Sequence, residues 1–529
     1  MAVRTHQIPV PRPRQDRPGS ARWFALAVLC VSILMVNLDN TVLNVALPTL
    51  QRHFNTSGST LQWIVDAYIL AFAGLLLLMG TLGDHFGRKR VLQGGLVLFG
   101  GASTLATVAH STGQLIGLRA LMGVGAAMIM PATLSTVSNI FPRQERGKAI
   151  AIWSATASVG IGLGPFIGGL LLHYFSWASV FWLNVPIAAS ALAAGSVLVP
   201  ETRDRKPGRL DPLGALLSVG ALVALVYAII EAPAKGWTST AIVGSFAAAV
   251  TLGAVFAWWE THNREPLFEL SFFRNPAFSV ASLGITLAYF GLMGAVFAFT
   301  QYLQFARGFS SLTAGAIMLP LVVGLAAGGG NSDRLAQKLG TPRVITGGLA
   351  GLAVVLSTAV FWTPGTSVWL IGFTLVGLAF FMGNVMAPAT ASVMSAVPEA
   401  KAGVGSAMND VNREVGGALG VAIIGSIMNS VYHGRMTGAV AKLPANLRHA
   451  ARDSIGSAHA VAQHLPAQAA HHLDSAAANA FTHALGIGFL AAAIAAAVAA
   501  PIVSRYLRDR RPATRAHTPA PAAEAAAPA

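Results

Sequence analysis

A carboxylate, Asp39, stands well inside the apolar run Trp23 to Pro48. A helix crosses a hydrocarbon core of ~30 Å with about 20 residues. An ionised Asp near its centre costs roughly 2.5–3.5 kcal/mol on insertion scales, so such residues usually face a cavity and handle protons, ions or charged ligands. The anomaly recurs at Asp66, Arg119, Asp410, Arg413 and Glu414. At a rise of ~1.5 Å per residue, Asp39 lies ~24 Å beyond Trp23. Asp66 falls near the start of the next run, beside Trp63 and Tyr68, and Arg119 a turn and a half into the fourth. These spacings put two acids, one Arg and aromatic rings at similar depth, a set that attracts a lipophilic cation through charge and ring quadrupole. The alternative is a structural ion pair of Asp39 or Asp66 with Arg119, or, for Asp66, simple solvation near the interface. In Asn409-Asp410-Val411-Asn412-Arg413-Glu414 the two acids, four apart, share a helix face. Arg413 can neutralise one of them, so a self-compensated cluster near a helix end is the competing reading.

The elements that must hold these groups are membrane helices. The chain has 529 residues, 54% hydrophobic and 10% charged, against about 25% charged in soluble domains. Fourteen spans are expected, near 23–47, 61–82, 91–109, 114–138, 148–171, 180–199, 212–231, 241–259, 279–301, 312–330, 343–362, 367–393, 404–430 and 483–504. With both termini cytoplasmic, the inner segments carry 26 of the 35 Lys plus Arg and the outer ones 7, as the positive-inside rule requires. The net charge of +15 is therefore a topology signal and excludes a nucleic-acid partner. The expected organisation is a basic cytoplasmic tail at 1–22, a six-helix bundle at 23–199, a linker with two extra helices at 200–278, a second six-helix bundle at 279–504 with a long outer loop at 431–482, and a disordered cytoplasmic tail at 505–529. Arg4, Arg12, Arg14 and Arg17 precede a run too long for a signal peptide, so the first helix is expected to stay uncleaved. Cys30 is alone, which removes any internal disulfide or thiolate metal cluster.

An internal echo supports the 6+2+6 layout. After span 2 the chain reads Gly80-Thr-Leu-Gly-Asp84-His-Phe-Gly87-Arg88-Lys89-Arg90; after span 10 it reads Asn331-Ser-Asp333-Arg334, then Gly340 and Arg343. Each copy places an Asp at a helix end, then a glycine turn and cations. The segment 433–480 is Ala-rich and holds six of the fourteen His. It lacks a His-Glu-x-x-His pattern, so a solvated, partly helical hairpin is expected there in preference to a metal site.

No Gly-x-x-x-x-Gly-Lys-Ser/Thr occurs, so ATP is not an expected energy source, and no cofactor, metal or enzymatic nucleophile–base set is read. A proton gradient is the natural source, because the intramembrane acids are carboxylates whose charged form burial disfavours. In span 5, Gly160, Gly164 and Gly168 fall four apart and Pro165 permits a bend. That is a close-packing face or, more sharply, a hinge between bundles.

Together these stretches resemble the major facilitator superfamily, specifically its fourteen-span drug:proton antiporters of the QacA/EmrB type. Leu38-Asp39-Asn-Thr-Val-Leu-Asn44-Val-Ala-Leu-Pro48 is similar to the family's first-helix motif, whose acid takes part in proton coupling. Gly80 to Arg90 matches the loop 2–3 signature with Asp84, Gly87 and Arg88 in place, which gates the bundle interface on the cytoplasmic side; Asp333 and Arg334 stand in the second copy. Arg119-Ala-Leu-Met-Gly123-Val-Gly125 resembles the span-4 motif, whose Arg is implicated in proton transfer, and Gly160 to Gly169 the span-5 antiporter motif associated with exporters. An acid at Asp66, as in QacA-like members, points to cationic substrates. The segment Trp177 to Pro186 departs from the family in lacking an Arg between its aromatics.

The resemblance implies an all-α membrane protein of two six-helix bundles plus two helices, acting as a monomeric proton-coupled exporter of lipophilic cations in the cell membrane. Proton coupling is assigned to Asp39, Arg119, Asp410 and Glu414. Substrate binding is assigned to Asp39, Asp66, Trp63 and Tyr68, and gating to the signature residues with Gly164, Pro165 and Gly168. Export of an endogenous metabolite or a self-made antibiotic, or a non-transporting scaffold, are the rival functions.

Overall fold

The computed structural model describes residues 19–203, 210–263, 266, 269–398, 402–441 and 443–507. Most of both expected tails, and Asp204 to Arg209 of the basic linker, lie outside the described residues. No strand occurs among the described residues, as expected where hydrocarbon leaves the backbone no partner but itself.

The first half is built from α1 (Gly19–Phe54), α2 (Gly58–Phe86), α3 (Arg88–Ala106), α4 (Thr112–Ile140), α5 (Arg143–Tyr174), the single turn α6 (Ser179–Trp182) and α7 (Asn184–Leu198). Two further helices follow, α8 (Pro212–Lys235) and α9 (Thr240–His262). The second half has α10 (Pro276–Gln301), α11 (Ser311–Ile317), α12 (Pro320–Leu339), α13 (Thr341–Ser357), α14 (Val368–Ala396) and α15 (Ala402–Ala439). Two short helices, α16 (Ala445–Asp453) and α17 (Ile455–Ala462), then lead into α18 (Ala467–Tyr506). Thirteen helical segments among the described residues are long and apolar enough to cross a membrane, and the protein is a multi-pass membrane protein. The expected third span, α3, falls short of that measure because it begins Arg88-Lys89-Arg90; it nonetheless packs against α4 and α7 inside the first bundle.

Helix starts are set by local capping. Ser57 accepts from the Thr60 N–H, Ser111 from Gln114 and Asp211 from Gly214, the last with Pro212 in the first turn. These side chains satisfy donors that a helix end otherwise leaves unpaired.

The two halves repeat one packing scheme. In the first, α1 packs on α5 and α7, α4 on α2 and α3, and α3 on α7. In the second, α10 packs on α15 and α18, α14 on α12 and α13, and α13 on α18. The echo in the loops has a backbone basis. Gly87 (φ 108°) and Gly340 (φ 88°) each join two helices without an intervening loop, a left-handed conformation that L side chains resist. Helices α2 and α15 meet across the bundle boundary, as do α5 and α11, and α8 fills the groove beside α2 and α15.

The face where α2 turns into α3 is here the tail face, the opposite one the cap face. The hydrogen bonds joining the bundles lie toward the cap face. Gln62 donates to the Val421 and Ala422 carbonyls (3.1 and 3.2 Å), Gln304 to the Val45 carbonyl (2.9 Å) and Gln51 to Ser454 (2.6 Å). The segment 431–482 is helical, as expected in part, and differs from the sequence reading in being packed as well as solvated. Helix α15 runs on to Ala439, α18 begins at Ala467, and α16–α17 form a cap with Ala451, Ile455 and Ala458 buried. Alanines at helical spacing supplied an apolar face that their polar neighbours masked.

Candidate functional site

Six elements converge on one buried charge pair. Asp39 of α1 is 3% exposed and Arg119 of α4 is 0% exposed. The guanidinium Nη1 donates to Asp39 Oδ2, and Nε donates to the Ile64 carbonyl of α2 at 3.1 Å. Its plane lies over the Tyr68 ring, 4.2 Å from the centroid, a cation–π contact strengthened by the absence of water. Asp39 Oδ1 accepts from Asn184 Nδ2 (2.8 Å), the same amide donates to Ser103 Oγ (3.1 Å), and Ser103 donates to the Phe181 carbonyl (2.9 Å). The pair is thereby joined to α3, α6 and α7. Asn184 and Ser103 were not singled out from the sequence. Asn184 carried a signal, as a lone polar residue between the apolar stretches Val180–Leu183 and Val185–Ala189.

The expected gathering of Asp66, Trp63 and Tyr68 around this pair does not occur. Tyr68 belongs to it and is fully buried under Arg119, so it offers no ring face to a substrate. At ~100° per residue, Asp66 stands about 200° round α2 from Tyr68. Its neighbours along that stripe face the other way: Gln62 bonds α15, and a Cβ at Gly74 would meet Val219 of α8. Asp66 is 0% exposed, and neither carboxylate oxygen has a hydrogen-bond partner among the described residues, which rules out solvation near the interface. Trp63 turns to α8, donating Nε1–H to Glu231 at 3.0 Å. Asp39, committed to two partners and sealed, has no free surface for an organic cation in this state.

In the second bundle, Asp410 accepts an ion pair from Arg413 at 3.5 Å, and Arg413 lies over the Tyr289 ring at 5.8 Å. Glu414 is half-buried, makes no ion pair among the described residues, and lies within electrostatic reach of both Tyr68 and Tyr289. The local Asp410–Arg413 compensation is present, and it does not include Glu414.

The span-5 glycines are close-packed on two sides of α5. A Cβ at Gly160, Gly164 or Gly168 would run into Leu34, Asn37, Thr41 or Val42 of α1. On the other side of α5, Gly162 meets Val322 of α12 and Gly169 the Ser311 backbone, while Gly315 of α11 meets the Pro165 carbonyl. One face fixes α5 in its bundle; the other, with Pro165, forms the boundary with the second bundle. The counterpart in α15 was missed: Gly416 and Gly420 lie against the Thr286 and Phe290 carbonyls of α10.

At the tail face, Asp84 pairs with Arg88 (2.7 Å), whose N–H bonds the Thr202 carbonyl (2.8 Å); Lys89 bonds the Ser196 carbonyl, and Arg90 approaches Glu201 at 3.7 Å. The signature loop is thus docked on the end of its own bundle. Gly80 packs against Pro131 of α4, and Asp333 and Arg334 are exposed. Of the cap histidines, His433 bonds the Asp453 carbonyl at 3.0 Å and His459 the Asp474 carboxylate at 3.2 Å. Burial raises the Asp453 carboxyl above its ordinary value, with His433 and His449 opposing. No three His, Cys, Asp or Glu side chains among the described residues are placed to share a metal ion.

The Major Facilitator Superfamily model matches residues 29–421. The multidrug efflux pump LfrA of Mycolicibacterium smegmatis is 36% identical over 94% of this chain and 98% of its own length. The tetracenomycin C resistance and export protein of Streptomyces glaucescens is 31% identical over 99% of each. The methyl viologen resistance protein SmvA of Salmonella typhimurium is 33% identical over 87% of this chain and 93% of its own. Among solved structures, an inward-facing bacterial homologue of the human lysosomal transporter Spinster superposes with a TM-score of 0.63 at 18% identity, over 94% of this chain and all of that one; this likeness concerns the fold.

Proposed function

The chain belongs to the Major Facilitator Superfamily, and from that membership we propose that it is a proton-coupled antiporter exporting lipophilic, cationic drugs and antibiotics. It is a transporter of small molecules and no enzyme, and its relatives are drug, antibiotic and methyl viologen resistance proteins. The proposed arrangement has fourteen crossings, with α3 counted as one, both termini cytoplasmic, and a monomer that uses no ATP. In this orientation the tail face is cytoplasmic. Hydrogen bonds then seal the bundles on the outer side, as expected of a carrier facing inward.

The observation that carries the reading is the Asp39–Arg119 pair, in which a carboxylate is neutralised by a cation that no water reaches. Protonating Asp39 removes half of that compensation and leaves a bare guanidinium among α1, α2 and α4. The proton is therefore worth several kcal/mol to the helix arrangement, which is what coupling to a conformational change requires. Glu414, partly buried and without an ion pair among the described residues, is the acid proposed to meet a cationic substrate. The division of labour follows from access, since Asp39 is sealed and Glu414 is not.

Exchanging one proton for one monovalent cation moves no net charge. Each pH unit then supplies ~1.4 kcal/mol. The test is ethidium transport in proteoliposomes under an imposed pH gradient. Asp39→Asn abolishes gradient-driven accumulation with reconstitution unimpaired, and Glu414→Gln weakens ethidium binding. Full gradient-driven transport by Asp39→Asn rejects the assignment.

A further inference from the structure

Helix α8 belongs to neither six-helix bundle, yet its cap-side end is tied to one helix of each. Pro233 has no N–H, so the Ile229 carbonyl four residues back loses its helical donor. Ser426 of α15 supplies one instead, at 2.7 Å. Two residues from Pro233, Glu231 Oε1 accepts the Trp63 Nε1–H of α2 at 3.0 Å. The helix then stops at Gly236 (φ 88°), immediately after Lys235.

These constraints bring two aromatic rings and a carboxylate together beside an ammonium group, which meets Tyr227 at its hydroxyl edge. The Trp63 and Tyr227 rings lie 6.1 Å apart at 47°. Lys235 Nζ sits 3.2 Å from Glu231 Oε2, donates to Tyr227 Oη at 2.7 Å and lies 4.9 Å from the Tyr227 ring centroid. A carboxylate with two aromatic rings is the chemistry that recognises organic ammonium ions, and here the chain's own lysine takes the place of the ligand. The Glu231 side chain is 16% exposed and that of Lys235 45%. The acid is therefore held in place while the ammonium is free to leave into water, and exposed ion pairs of this kind are weak.

We propose that the Trp63–Tyr227–Glu231 cage is a second binding subsite, for amphipathic organic cations, from which Lys235 is displaced. It lies at the cap-side junction of α2, α8 and α15, where the bundles are sealed, so in the orientation proposed above it is an exit subsite. Lys235 then acts as a tethered competitor that returns as the cargo departs. Only the direction of travel rests on the export reading; occupancy of the cage does not.

The probe is radiolabelled tetraphenylphosphonium, in saturation binding to the purified full-length protein. Lys235→Gln leaves the cage vacant, and it binds about one more equivalent of probe than Lys235→Gln with Glu231→Gln, or the same equivalent roughly tenfold more tightly, as expected for loss of a charged partner. Glu231→Gln keeps an acceptor for Trp63, which guards the fold, and monodispersity on a sizing column checks it. Adding Trp63→Leu to Lys235→Gln also removes the extra site. The proposal is overturned if Lys235→Gln and the double variant bind the probe alike, which would make the cluster only a clasp between α2 and α8. Asp39→Asn leaves this binding intact, so failure of proton coupling and failure of the cage are separate results.

Discussion

Replacing Asp39 by Asn isolates the charge on which the mechanism depends. The carboxylate uses Oδ2 for Arg119 and Oδ1 for Asn184. An Asn side chain has one acceptor, so whichever way its amide turns, an NH2 opposes either the guanidinium or the Asn184 amide. Arg119 keeps the Ile64 carbonyl and the Tyr68 ring, but both are present before the change and compensate nothing. Its Nη2 already lacks a hydrogen-bond partner. Leaving a buried ion without its partner costs about 3–5 kcal/mol. Adding Arg119→Gln removes the stranded charge, so the double variant recovers much of that loss; the expected coupling energy exceeds ~2 kcal/mol. Unfolding by SDS titration of the four proteins of the cycle measures it. A cost below ~1 kcal/mol for Asp39→Asn, of the size found for exposed pairs, or a double variant no more stable than the single, refutes the claim that Asp39 holds a sealed cation.

Gly164→Val drives a side chain into Thr41 and the Val42 backbone; overpacking costs about 1–3 kcal/mol, and Gly420→Val against the Phe290 carbonyl should cost as much in the same unfolding assay. Ser426→Ala orphans the Ile229 carbonyl at a cost of about 1–3 kcal/mol, whereas Pro233→Ala restores the helical donor and makes Ser426→Ala nearly silent; equal losses in both backgrounds would disprove that link. Gln62→Leu removes two bonds across the sealed end, worth ~1 kcal/mol each. Maleimide labelling of Asn429→Cys should then rise several-fold over the background of buried Cys30. Asp453, raised by burial, favours the folded cap most in its neutral form. Its contribution is complete below its ordinary value of 3.8 and is lost as pH rises through the raised one. Hydrogen exchange in α16–α17 should therefore quicken across that window in the wild type, and Asp453→Asn should flatten the response.

The sequence by itself determined the class of protein and the positions of its helices. Each expected span overlaps a helix, because an apolar run of that length has no alternative in lipid. Hydropathy also marked Asp39 and Arg119 as charges that must find compensation inside the membrane, and Arg119 does answer Asp39. The paired turns at Gly87 and Gly340 were legible as well, since a helix-to-helix corner without a loop demands a residue that tolerates positive φ.

Tertiary structure decided which way each helix faces. Depth along α2 placed Trp63, Asp66 and Tyr68 together, but rotation about its axis sends Tyr68 to Arg119, Trp63 to Glu231 and Asp66 to neither. An apolar helix has no polar face to reveal its rotation, so the neighbouring helices choose it. The same holds for Asn184, Ser103, Glu231 and Ser426, ordinary residues in sequence whose roles come from partners 78 to 197 positions away. The cap over 431–482 was hidden for the converse reason: alanine and histidine give weak hydropathy, and only packing beside α1 and α15 turns that segment into buried helix.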